Sequence, residues 1–225
     1  MRNTLLSLLA LTSVALIAGC STEPANDSQR QALMTDSRAT LMSLEARDPG
    51  LRNVVENSYA YAVFPDVGKG GFGIGGAWGR GIVVEQGRFV GYAAVGEGSI
   101  GALVGGQTYS ELIVFKSREA FHKFQESRLS FGADANAVAI KAGAAATAQF
   151  RNGMVVFIHN QGGLMADLSL NGENISFVPA EQSDQDYWTN HDRDRDRDRS
   201  YNNTSSYQST DSNGNTSSYS TTTTR

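Results

Sequence analysis

The chain has 225 residues, a formal net charge of −4, 40% apolar residues and 19% charged ones. One cysteine excludes an intramolecular disulfide framework and any cysteine-rich metal site. The three histidines, His122, His159 and His191, have no metal-ligand spacing. The acidic balance leaves no electrostatic footprint for nucleic acid, so no nucleic-acid partner is expected.

The first element reads as a targeting signal, residues 1–19. Met1-Arg2 is a short positive start, and Thr4 to Ile17 is an apolar run of Leu, Ala, Val and Ile diluted by Ser and Thr. It ends in Ile17-Ala18-Gly19-Cys20, which resembles a bacterial lipobox. The thiol of Cys20 would then accept a diacylglyceryl group, and the acyl chains would hold the protein on a membrane. An ordinary signal peptide with a chance cysteine is the competing reading. Ser21 rather than Asp follows the cysteine, which resembles lipoproteins sorted to the outer membrane, facing the periplasm.

Residues 20–27 are polar with one proline and read as a tether. Ser28-Gln29-Arg30-Gln31 fits a capping box. Leu33, Met34, Leu41 and Leu44 mark one face of a helix to about Arg47. Asp48-Pro49-Gly50 ends it and opens a shorter helix, with Asp48 as N-cap, Pro49 at its first position and Val54 and Val55 inside. Tyr59 to Phe64 alternates like a strand, and four strand-like segments follow at 71–84, 88–95, 99–104 and 108–115. Fifteen of the 24 glycines lie between Gly68 and Gly106, a density that implies tight curvature or close backbone approach. Ser117 to Ser127 reads as a helix capped by Ser117, with Ala120, Phe121 and Phe124 on one side. Strand texture returns at 129–140 and 144–150. Met154 to His159 and Leu164 to Leu170 flank Asn160-Gln-Gly-Gly163 as a hairpin, and Ile175 to Val178 closes the core.

The remaining segment, 181–225, reads as a disordered hydrophilic tail. From residue 183 onward it has no aliphatic side chain, and 17 of the last 43 residues are Ser or Thr. Its Asp192 to Arg199 alternation is self-neutralising, either a solvated linker or a tract for an envelope protein partner. Residues 28–180 hold 13 basic and 13 acidic residues, so the folded part is neutral. Any membrane attraction must therefore come from local clusters.

The glycine-rich stretch invites enzymatic readings that do not hold. Gly71-Phe-Gly73-Ile-Gly75-Gly76 spells G-x-G-x-x-G, but strand-like residues follow it where a Rossmann site needs a helix. Gly96 to Ala102 lacks the Lys-Ser/Thr of a phosphate loop. Ser99 lies in G-S-x-G, not in the nucleophile elbow. Asp66 and Glu97 are isolated carboxylates, and His159 stands on an apolar strand. The expectation is a non-enzymatic protein with no catalytic residue, no metal and no cofactor.

The block Ala62-Val-Phe64-Pro65-Asp66-Val-Gly-Lys69-Gly-Gly71-Phe72-Gly-Ile-Gly75-Gly76, followed by Gly79-x-Gly81, resembles the signature of the SYLF domain family. Later segments agree in order: Val95 to Gly106, Leu112-Ile-Val-Phe115, Ala120-Phe121, and Gly162 to Leu168 before Gly172. The resemblance covers about residues 28–179, and Gly70 departs from it where a small residue such as alanine is frequent. It implies a lipid-binding or membrane-associated domain. The phosphoinositide and actin ligands of non-bacterial members are not expected in a periplasm.

Read from the residues, Lys69 lies in a glycine-rich turn whose free amides suit an anion. Arg80 and Arg88 on adjoining strands could complement it, which makes anionic headgroups the expected partners; three ordinary surface cations are the competing reading. The first-helix leucines either pack on the sheet or meet a bilayer, and Trp78 and Phe72 lie either at an interface or in the core. The expected fold is α+β: a curved, glycine-rich, mainly antiparallel sheet with N-terminal helices and one inserted helix. The expected function is a lipid-anchored envelope protein with a phospholipid-binding domain. The alternative is a scaffolding lipoprotein whose tail binds partners and whose core has no ligand.

Overall fold

The computed structural model describes residues 21–126, 136–163, 173–181, 184–185, 187–189, 204–210 and 216–222. Residues 1–20, with the segment expected to be a targeting signal and Cys20, lie outside them, as do 127–135 and 164–172. The chain forms two compact units, residues 1–181 and 182–225.

In the first unit, helix α1 spans Asp27–Arg47 and α2 spans Gly50–Glu56. The cap of α1 lies two residues earlier than the serine suggests. Asn26 Oδ1 accepts from the Gln29 amide at 3.0 Å, and Gln29 Oε1 accepts from the Ala25 amide at 3.1 Å. The box is therefore built around asparagine, a cap as good as serine. Met34, Ser37, Leu41, Leu44 and Glu45 are its buried positions, and the helix lies against the first strand. The N-cap of α2 is Pro49, one residue later than expected. Asp48 is nonetheless buried, and its carboxylate accepts from the amides of Gly50 at 3.2 Å, Gly143 at 3.4 Å and Ala145 at 2.6 Å.

The strand segments expected at 59–64, 71–84, 88–95, 99–104 and 108–115 are two very long strands, β1 (Ala60–Glu85) and β2 (Arg88–Phe115). They are joined by a two-residue turn with both φ positive, Gln86 at 48° and Gly87 at 77°. The ladder continues on both sides of the glycine runs, pairing Gly70 with Gly106, Gly71 with Gly105 and Gly76 with Gly98, and shifts register between Phe72 and Ile74. A straight strand would hold Phe64 and Gly81 about 55 Å apart, at ~3.3 Å per residue. Instead a Cβ on Gly81 would meet the Phe64 ring at 2.6 Å, and one on Gly79 would meet the Asp66 carbonyl at 2.7 Å. The hairpin therefore doubles over at its glycine-rich middle, and its two arms pack face to face.

Helix α3 (Arg118–Gln125) is capped by Ser117, and Phe121 and Phe124 enter the core as expected. Strand β3 (Asn136–Ala139) pairs parallel to β4 (Met154–Gly163), β4 pairs antiparallel to the 107–115 part of β2, and β5 (Glu173–Pro179) pairs antiparallel to its 91–97 part. The result is a five-stranded, mainly antiparallel sheet of an α+β fold. Three local expectations are corrected. Asn160–Gly163 continues β4 and is not a turn, because residues 107–109 of β2 offer a partner ladder. Residues 144–147 form the short helix α4, not a strand, because Asp48 satisfies the amides that open it. The tether expected at 20–27 is docked over its described residues 21–27, as its hydrogen bonds below show.

The core lies between the doubled arms: Ala62, Phe64, Val67, Ala77, Val83, Ala93, Val95, Ile113, Phe115, Val156 and Ile158, closed by Phe121 and Phe124. Phe115 and Phe124 meet at 4.9 Å between ring centroids, a separation at which tilted rings attract. By strand alternation Tyr61, Val63, Leu112, Val114, Val155 and Phe157 point to the opposite face, and they too are buried.

In the second unit, β6 (Thr204–Thr210) and β7 (Thr216–Thr222) form an antiparallel ribbon with Tyr207 opposite Tyr219. Trp188 is buried. The Asp192 to Arg199 alternation lies outside the described residues.

Candidate functional site

The N-terminal segment is bonded to the domain. The Ser21 carbonyl accepts from Arg80 Nε at 2.9 Å, the hydroxyls of Thr22 and Ser176 share a hydrogen bond of 2.6 Å, Glu23 pairs with Arg30 at 3.1 Å, and Pro24 is buried. This segment, α1 and β1 enclose a cleft of about 270 Å³. From α1 come Gln29, Ala32, Leu33 and Asp36, positions at helical spacing along one face. From β1 come Pro65 and Asp66, where the ladder shifts register, and Trp78 and Arg80, two residues apart on one strand face.

Trp78 is 43% exposed, an unusual state for the largest side chain. The Arg80 guanidinium carbon lies 4.9 Å from its ring centroid, within cation–π range. Among the described residues, the terminal nitrogens of Arg80 make no hydrogen bond, and neither Arg80, Asp36 nor Asp66 forms an ion pair. The cleft thus presents one guanidinium and two carboxylates, none paired with another, between small apolar walls.

The three cations expected to cluster do not form one surface. Lys69 is not in a turn: it stands inside β1 opposite Gln107 and is only 4% exposed. The physical reason is that glycines in a paired ladder leave the strand extended, so Lys69 follows Val67 onto the inner face. Gln107, its partner across the ladder, is buried too, as is Glu111 further along β2. Arg88 is exposed beside the Gln86–Gly87 turn and does not line the cleft. Only Arg80 does. The sequence reading missed Asp36, Leu33 and Asp66 as residues that line the cleft with Arg80. Trp78-x-Arg80 alternation was the available signal for one wall; nothing in the sequence reports which helix face lies opposite.

Of the chemistry-bearing residues elsewhere, His159 is half-buried on β4 and His122 is exposed on α3. Among the described residues no group of three or more His, Cys, Asp or Glu is placed to hold a metal ion, and no helix is long and apolar enough to cross a membrane.

Residues 96–192 match the Ysc84 family, described as Las17-binding protein actin regulator and also called the SYLF domain family. Over that stretch the chain resembles a SYLF domain. The match spans the second part of β2, α3, β3, α4, β4 and β5, while both walls of the cleft precede it. Beta cell expansion factor A of Aeromonas veronii is 27% identical over 145 residues, covering 64% of this chain and 55% of that protein. The chain therefore spans about half the length of the curated relative it matches. The inserted α3 and the spaced glycines of 95–106, on which the resemblance partly rests, fall within the SYLF match.

Proposed function

We propose that this chain is a lipid-anchored envelope protein whose SYLF domain binds phospholipid membranes and catalyses no reaction. The observation that carries the reading is the Trp78–Arg80 pair. An exposed indole with a guanidinium over its face suits the bilayer interface, where the ring meets acyl and glycerol groups and the cation meets phosphate. Arg80 also holds Ser21, and Ser21 is one peptide bond from the lipobox cysteine. Acyl chains on Cys20 would then enter the membrane beside Trp78, and the docked segment would keep that edge turned to the bilayer. The lipobox and Ser21 support placement in the outer membrane, facing the periplasm.

Vesicle co-sedimentation tests the reading, using the full chain with Cys20→Ser so that its own acyl chains do not dominate. Binding is expected, with a blue shift of tryptophan emission. Arg80→Ala is expected to weaken binding roughly fivefold, the value of about 1 kcal/mol for one cation near a lipid surface. Trp78→Ala is expected to abolish the emission shift. Absence of binding, or equal binding by parent and the Trp78→Ala/Arg80→Ala variant, would favour a scaffolding lipoprotein whose core has no ligand.

A further inference from the structure

We propose that the cleft between α1 and β1 receives the phosphoethanolamine headgroup of a membrane aminophospholipid, Arg80 binding the phosphate and Asp36 with Asp66 the ammonium. The proposal rests on the phospholipid-binding reading and names the headgroup.

The charges that line the cleft decide between headgroup classes. One guanidinium against two carboxylates leaves the lining with a net negative charge. A purely anionic headgroup would meet one attractive group and two repulsive ones, and the other two cations that would reverse this balance are elsewhere: Lys69 in the interior, Arg88 beside the hairpin turn. A zwitterion reverses the account. Its phosphodiester carries one negative charge for Arg80, and its ammonium, two methylenes away, carries one positive charge for the aspartates. Among the described residues none of the three side chains pairs with another, which leaves each open to a ligand whose own charges are likewise separated.

Hydrogen bonding narrows the choice further. A primary ammonium has three N–H donors, and carboxylates only accept, so Asp36 and Asp66 can take two of them. A trimethylammonium headgroup has no donor and would leave those carboxylates without hydrogen bonds. The size agrees: about 270 Å³ is of the order of nine water volumes, room for a headgroup of eight heavy atoms with residual water. Ala32 and Leu33 supply apolar wall for the two methylenes. The half-exposed Trp78 stands at the rim, where the glycerol and the first acyl carbons would lie.

The test uses the full chain with Cys20→Ser and vesicles of phosphatidylcholine alone, with added phosphatidylethanolamine, or with added phosphatidylglycerol. Binding is expected to be several-fold tighter to the ethanolamine vesicles than to either of the others. Asp36→Asn with Asp66→Asn, both surface changes, is expected to reduce ethanolamine binding about fivefold, to the level of choline vesicles. Soluble O-phosphoethanolamine is expected to compete, and inorganic phosphate at the same concentration is not. Tighter binding to the glycerol vesicles, or an unchanged ethanolamine preference in the double Asn variant, overturns the headgroup assignment while leaving membrane binding intact. Binding of soluble O-phosphoethanolamine without any vesicle binding overturns the lipid source. Binding of nothing overturns the phospholipid reading itself.

Discussion

His159 stands on β4 opposite Ser110 of β2, where partial loss of water disfavours its charged form and Arg47 adds like-charge repulsion. Its pKa is therefore lowered in the folded protein from the ordinary value of 6.5. The unfolded chain binds a proton at this site more readily than the folded one, so the site's contribution to stability is fully present above the ordinary value and declines as pH falls through it. The melting temperature is expected to drop between about pH 7.5 and pH 5.5. His159→Gln should flatten that slope; an unchanged slope would show that other groups control it. Lys69 shows why residue-scale reading goes astray. Its glycine neighbours say that the backbone is unencumbered, which suits an anion nest and a curved ladder equally well. Only the pairing of Lys69 with Gln107 turns the side chain inward, and that pairing is fixed by residues nearly forty positions away.

At the scale of elements, what is legible depends on whether the deciding contact is local. The helix at Ser117 was readable because its cap and its apolar face, Ala120, Phe121 and Phe124, all lie within eight residues. The segment 144–147 was not, because Asp48, nearly a hundred residues earlier, caps it and outweighs its strand-like texture. The long hairpin was legible as strand but not as two continuous strands. Glycine breaks a hydrophobic pattern without ending a strand. Its glycines also differ in duty, and this is testable. Gly81→Ala would drive a methyl into the Phe64 ring between the packed arms, an overpacking expected to cost about 1–3 kcal/mol. Gly96, on the partner strand, has no atom within 4 Å of such a methyl. Gly96→Ala is expected to leave stability within about 0.5 kcal/mol of the parent. Denaturant unfolding of the two variants measures the contrast, and equal losses would mean that the arms do not pack as described.

For the molecule as a whole, the candidate site was half visible in advance. Arg80 and Trp78 could be named from the sequence, but their partners on α1 depend on how the helix crosses β1, and nothing local encodes that. The N-terminal segment changes most between the two views. A free polar tether would let the domain wander, whereas Ser21, Thr22 and Glu23 are all bonded to it. If Cys20 is the acyl acceptor as proposed, Cys20→Ser is expected to move the protein from the membrane to the soluble fraction of cells, or to stall its processing. A variant that matures normally and fractionates with membranes like the parent would rule the anchor out.

The glycine ladder in the middle of the hairpin has one more effect. Alignment between antiparallel strands is normally enforced by cross-strand side-chain pairs and by the alternation of faces. Where Gly70 faces Gly106, Gly71 faces Gly105 and Gly76 faces Gly98, no such pair distinguishes one alignment from another. The information must come from the two ends: the positive-φ turn at Gln86–Gly87, and the base, where Ala60 to Phe64 pair with Glu111 to Phe115. Between those clamps the glycine stretch acts as a ruler. Its length decides that Gly79 and Gly81, with no side chains to obstruct, arrive over Phe64 to Val67 when the arms close. Inserting or deleting two residues there would preserve the composition and the alternation, yet deliver bulky neighbours to the one place where the arms admit only backbone.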